Sequence, residues 1–98
     1  MGATQIVTEI KAKDETTLNK KFQNLKRQCE IEYGANPYNG TWSTIDYMYV
    51  KPDPFPDRKW TKKKYRDVID KISESTDKWE CTAVKTQKGY LLVGWAGI

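Results

Sequence analysis

Tyr33-Gly34-Ala35-Asn36-Pro37-Tyr38-Asn39-Gly40-Thr41-Trp42 gathers turn formers, hydrogen-bonding groups and aromatic rings into one short stretch. Such a composition suits a shaped binding loop, because a rigid scaffold can hold a backbone turn and its aromatic walls in one place. In that chemistry Tyr38 and Trp42 are stacking walls and Asn39 and Thr41 supply polar contacts. Gly40 lets a ligand approach the backbone. The same residues also suit a purely structural role. Asn39-Gly40 is a common tight turn, Pro37 stiffens its entry, and Tyr38 and Trp42 would cap the core beneath it.

A second constellation is basic. Lys51, Arg58, Lys59, Lys62, Lys63, Lys64 and Arg66 stand against only Asp53 and Asp57, so this segment carries more net charge than the whole chain, which is +4. Lysines 62 to 64 fall in the first turn of an expected helix, where the macrodipole disfavours cations by up to ~1 kcal/mol each. A bound anion reverses that sign. Free N–H groups at the helix start, flanked by Lys51, Arg58, Lys62 and Lys63, make a phosphate site, with Trp60 or Tyr65 available to stack on a base. A solvated lysine face that keeps the domain soluble explains the same residues. The proline-rich run from Lys51 to Asp57, with Phe55, reads as a lid over such a site or as a stiff linker.

Catalytic templates find little support. The chain has no histidine, which removes the commonest general base and the commonest zinc ligand. Cys29 and Cys81 are far apart and read as small buried apolar groups rather than a metal or disulfide pair. No glycine-rich phosphate loop follows a strand. Carboxylate pairs such as Glu30 and Glu32, or Asp67 and Asp70, lie on helix faces among basic residues and read as solvated charges. Asp46 is the first candidate if catalysis exists. The expectation is a non-enzymatic protein without cofactor or metal.

The elements that must position these groups follow from periodicity. Alternation from Gln5 to Lys13 predicts a strand with one buried face. Asp14 is an N-cap for a helix from Glu15 to Tyr33, with Leu18, Phe22, Leu25 and Cys29 at helical spacing and Gly34 as C-cap. Thr41 to Lys51 is dense in β-branched and aromatic residues on both faces, which predicts a central strand ended by Pro52-Asp53-Pro54. A second helix begins near Thr61, with Tyr65, Val68, Ile69 and Ile72 as its apolar stripe, and closes by Ser73 to Asp77. Glu80 to Thr86 and Tyr90 to Ala96 form a hairpin around Gln87-Lys88-Gly89. Trp95, in register with Leu91 and Val93, reads as core packing or a subunit contact.

The order β-α-β-α-β-β makes one α+β domain over residues 1–98, a two-layer sandwich with a four-stranded mixed sheet and two helices on one face. The open face would then meet a ligand, a loop or a second copy, which suggests a homodimer. Charged residues make up 31% of the 98-residue chain and hydrophobic ones 38%, a folded rather than disordered composition. No apolar run is long enough to span a bilayer and no secretory signal precedes the domain, so the expected location is cytoplasmic.

Glu32-Tyr33-Gly34, Pro37-Tyr38-Asn39-Gly40-Thr41 with Ser43-Thr44, Asp77-Lys78-Trp79 and Gly94-Trp95-Ala96 together resemble a group of small bacteriophage proteins of unknown function. The match covers the interval from the first helix to the C-terminus, except the basic segment. Related chains often read Trp-Gly-Pro where this one has Trp79-Glu80-Cys81. The resemblance implies a phage accessory protein acting in host cytoplasm against host defence. With the residues above, it predicts binding and sequestration of a phosphate-bearing small molecule such as a nucleotide signal, held between the aromatic loop and the basic start of the second helix. The alternatives are nucleic-acid binding, and inhibition of a host protein through the open sheet face or the Phe55 segment.

Overall fold

The computed structural model describes residues 2–34, 40–56 and 59–97. The chain folds in the expected order, as α+β: β1 (Ala3–Ile10), α1 (Glu15–Tyr33), a 3-10 turn (Trp42–Thr44), β2 (Tyr47–Lys51), α2 (Lys62–Ser75), β3 (Glu80–Lys85) and β4 (Tyr90–Gly97). No helix of the described residues is long and apolar enough to cross a membrane. The four strands form one mixed sheet in the order β1-β4-β3-β2. β4 is antiparallel to both β1 and β3, and β2 is parallel to β3, so β1, β2 and β3 all run the same way.

The helix boundaries follow their caps. Asp14 accepts from Thr17 N at 2.8 Å, which satisfies one of the free donors of the first turn of α1. Gly34 ends the helix at φ 89°, with its N–H on Glu30 O. Thr61 caps α2 by accepting from Lys64 N at 3.3 Å.

The helices do not share a face, which corrects the two-layer arrangement. Leu18 and Phe22 of α1 pack with Cys81, Ala83, Tyr90 and Leu92. Val68 and Ile72 of α2 pack with Val84, Leu91 and Val93. Adjacent strand residues point to opposite sides, so Leu92 and Leu91 assign α1 and α2 to opposite faces. The topology explains why. The β1-α1-β2 connection crosses the sheet from edge to edge, whereas β2-α2-β3 steps back, and crossovers of one hand that travel in opposite directions cover opposite faces.

Two strand expectations also change. β2 lies at an edge, not at the centre, and its Tyr47 and Tyr49 are exposed. The central position belongs to β3 and β4, whose residues from Cys81 to Val84 and Tyr90 to Val93 are all buried. Within the expected strand Thr41 to Lys51, Trp42–Thr44 instead forms a 3-10 turn, because Thr41 O accepts from both Thr44 N and the Thr44 hydroxyl. β1 stops at Ile10, opposite Tyr90. A Cβ at Gly89 would lie 2.2 Å from Ile10 O, so only glycine lets the hairpin turn approach the end of β1 this closely.

Candidate functional site

Gly40, Thr41 and Trp42 begin the described part of the aromatic loop, and they are drawn inward. Gly40 N donates to Gly97 O at 2.8 Å, and Gly97 N donates back to the Thr44 hydroxyl at 3.3 Å. Thr41 and Ser43 share a hydroxyl contact at 3.0 Å. Trp42 is buried, edge-on to Phe22 with centroids 6.3 Å apart. This stretch therefore closes the α1 core at the end of β4. Tyr38, Asn39 and Arg58 lie outside the described residues.

Trp60 is buried on the other side of the sheet, between Phe55 and Tyr65, with centroid separations of 5.4 and 4.8 Å. Asp53 organises this cluster by accepting from Phe55 N at 2.7 Å and Trp60 Nε1 at 3.1 Å. Phe55 is half-buried and lies under the Lys64 ammonium at 5.1 Å, so the proline-rich segment is docked on α2 rather than presented outward. With Trp42 and Trp60 on opposite faces, the rings expected to share one ligand are not brought together. Burial, aided by Glu9 and Asp53, raises the Tyr65 phenol above its ordinary pKa, so it is a neutral packing group at physiological pH.

Lys51 does enter a concave site. A groove of about 450 Å³ lies on the α2 face, with Val84 of the sheet below, Val68, Lys71, Ile72, Glu74 and Ser75 of α2 on one side, and Lys51, Pro52 and Pro54 on the other. It exists because α2 lies across β4 towards β1, anchored by Trp95 Nε1 on Ser73 O at 2.9 Å and by Gln5 on the Ser73 hydroxyl. The strip over β2 and β3 is left to the proline-rich segment. The size falls within that of small-molecule pockets, and the lining is an apolar trough with two ammonium groups and one carboxylate.

The second feature is a basic pole. Because β1, β2 and β3 run the same way, their carboxyl ends and the starts of both helices share one end of the molecule. Lys11, Lys13, Lys21, Lys85 and Lys88 line a shallow depression there with Thr17 and Gln87. The Lys21 ammonium donates to Lys11 O, and Lys85 lies 5.0 Å over the Tyr90 ring. Lys51, at the end of β2, and exposed Lys59, Lys62 and Lys63, before and in the first turn of α2, stand at this end too. Asp14 and Glu15, at the start of α1, offset part of this charge, and the opposite end, where the helices finish and β2 and β3 begin, carries Glu30, Glu32, Asp46, Asp77 and Glu80 with Lys78. Lys11, Lys13, Lys85 and Lys88 escaped the sequence reading because they are scattered along the chain. The signal that finds them is strand direction, which puts every residue just after β1 and β3 at one pole.

The remaining candidates are structural in position. Asp46 is exposed, and its N–H donates to Trp79 O at 2.7 Å. Trp79 adopts φ 68°, a left-handed conformation rare for a tryptophan, which turns the chain between α2 and β3. Burial pushes the Cys81 thiol up to about 12, so it is a protonated core group. Among the described residues no three His, Cys, Asp or Glu side chains converge as a metal would require. No protein-family model, curated protein or solved structure matches this chain.

Proposed function

We propose that the protein is a non-catalytic binding protein for a phosphate-bearing small molecule, held with its apolar portion in the α2/β2 groove and its phosphate towards the basic pole. The observation that carries this reading is the position of Lys51. It lines the groove and ends β2, so it joins an apolar trough of nucleotide size to the lysine-rich end. Phosphate at that end is favoured by Lys51 and by Lys62 and Lys63, whose place in the first turn of α2 is unfavourable until an anion neutralises them. The resemblance to bacteriophage proteins supports reading the binding as sequestration of a nucleotide signal, an anti-defence role.

A second reading, a nucleic-acid strand laid across the pole, is favoured by the spread of lysines over six separate segments: the ends of β1, β2 and β3, the first turns of α1, the β3–β4 turn and the start of α2. Salt separates the two. A strand that displaces several counterions loses affinity steeply as salt rises, with a slope of roughly 0.7 per phosphate contacted.

Titration calorimetry against linear and cyclic nucleotides and a short single-stranded oligonucleotide, at two salt concentrations, tests both. The expected result is micromolar nucleotide binding with shallow salt dependence, weakened about tenfold or more by Lys51→Glu, where one ion pair becomes a repulsion. Binding of the oligonucleotide alone, with a steep slope, selects the second reading. No heat with either class sinks both.

A further inference from the structure

The edge strand β2 carries the largest aromatic exposure on the sheet. Tyr47 and Tyr49 are 56% and 45% exposed, and their rings are in contact with centroids 4.6 Å apart. Tyr49 is held in place by its hydroxyl, which donates to Glu80 Oε2 at 3.0 Å. Among the described residues no strand pairs along the outer side of β2. From Tyr47 to Val50 the strand has no charge, no proline and no bulge, and its one charge, Lys51, stands at its end before Pro52, so the middle of this edge is left unprotected. β1, the other edge, is different. Glu9 stands exposed on it and Gln5 is committed to Ser73.

We propose that β2 is a homodimerisation edge, with two copies of this chain pairing their β2 strands antiparallel about a two-fold axis at Tyr49. A two-fold axis perpendicular to the sheet keeps each residue on its own face, so odd residues must oppose odd and even oppose even. Centring on Tyr49 sets Tyr47 opposite Lys51 of the partner subunit, a cation over an aromatic face, and does so twice. On the other face it sets half-buried Met48 against Val50 of the partner subunit. Shifting the centre to Met48 would instead place Asp46 against an apolar valine. The strand is thus self-complementary in one register, and that register covers both exposed tyrosines.

The dimer stands independently of any ligand. If the groove binds one, as proposed above, the pairing brings the partner's Tyr47 beside Lys51 at the groove, adding an aromatic wall that one copy lacks.

Sedimentation velocity of the full chain across a micromolar concentration series gives the first test. A monomer–dimer equilibrium is expected, and Tyr49→Glu, which sets two carboxylates against each other on the axis, should raise the dissociation constant at least about tenfold. A cysteine pair locates the axis. In a Cys29→Ser background, Tyr49→Cys should oxidise to a covalent dimer because directly opposed residues come within disulfide reach, while Tyr47→Cys, opposed to Lys51, should not. A protein monomeric throughout the series overturns the proposal. So does a dimer that survives Tyr49→Glu and is trapped by Val7→Cys on β1.

Discussion

The two faces of the sheet bury similar residue types but finish differently. On the α1 face, Leu18, Phe22, Trp42 and Ile45 close a single core against Cys81, Ala83, Tyr90 and Leu92. On the α2 face the helix lies across β4 and leaves β2 and β3 to a proline-rich segment, and a groove remains. The contrast locates accessible chemistry by coverage rather than by composition. Gly40 to Trp42, the described end of the loop richest in site-like residues, help seal the closed face, and the segment that reads as a linker forms one wall of the open one.

The largest expected effect comes from the closed face. Phe22 is 3% exposed and wedged against Trp42, so Phe22→Ala should cost about 3–5 kcal/mol in urea denaturation. Ile72, which borders the groove, should cost near the low end for an aliphatic truncation, about 2 kcal/mol, because its neighbours on that side are already incomplete. Equal losses would break the distinction between a sealed and an open face.

A smaller effect tests what holds the open face in shape. Asp53→Ala removes the acceptor for Phe55 N and leaves the buried Trp60 Nε1 without its partner, which should cost about 1–3 kcal/mol. Ligand affinity at the groove should fall as well, since Pro52 and Pro54 flank Asp53. A stability loss with affinity unchanged would mean that the segment is not part of the site.

The existence and order of the elements were legible because local signals carry them. Asp14 and Thr61 cap the helices, and Leu18, Phe22 and the Val68–Ile72 stripe give the period of 3.6. The layer arrangement was not, because it depends on which way each crossover travels, and no residue pattern encodes direction. β2 misled for a related reason. Bulk at Tyr47, Met48, Tyr49 and Val50 suits a strand covered twice, yet tyrosines with polar tips are also tolerated at an uncovered edge. Of the candidate site, Lys51 was found through its place in a dense basic run, while Lys71 and the pole lysines come together only through the sheet. Trp42 and Trp60 were grouped by type, and an intervening sheet separates them.

The smallest effect at neutral pH is also the most local report on the closed face. Cys81 is fully buried, and its thiol is raised from its ordinary value to about 12 because burial disfavours the thiolate more than Lys26 favours it. A thiol that ionises more readily in the unfolded chain contributes stability that is present below about pH 9. That contribution is lost as pH rises towards the folded value. Denaturation from pH 8 to 10.5 should therefore show an alkaline decline that Cys81→Ala reduces. In native protein at pH 8 a thiol reagent should reach half-buried Cys29 first and Cys81 only at the rate of opening of the α1 face. Fast labelling of both thiols would mean that this face opens as readily as the grooved one, and the contrast between them would be one of shape without a difference in stability.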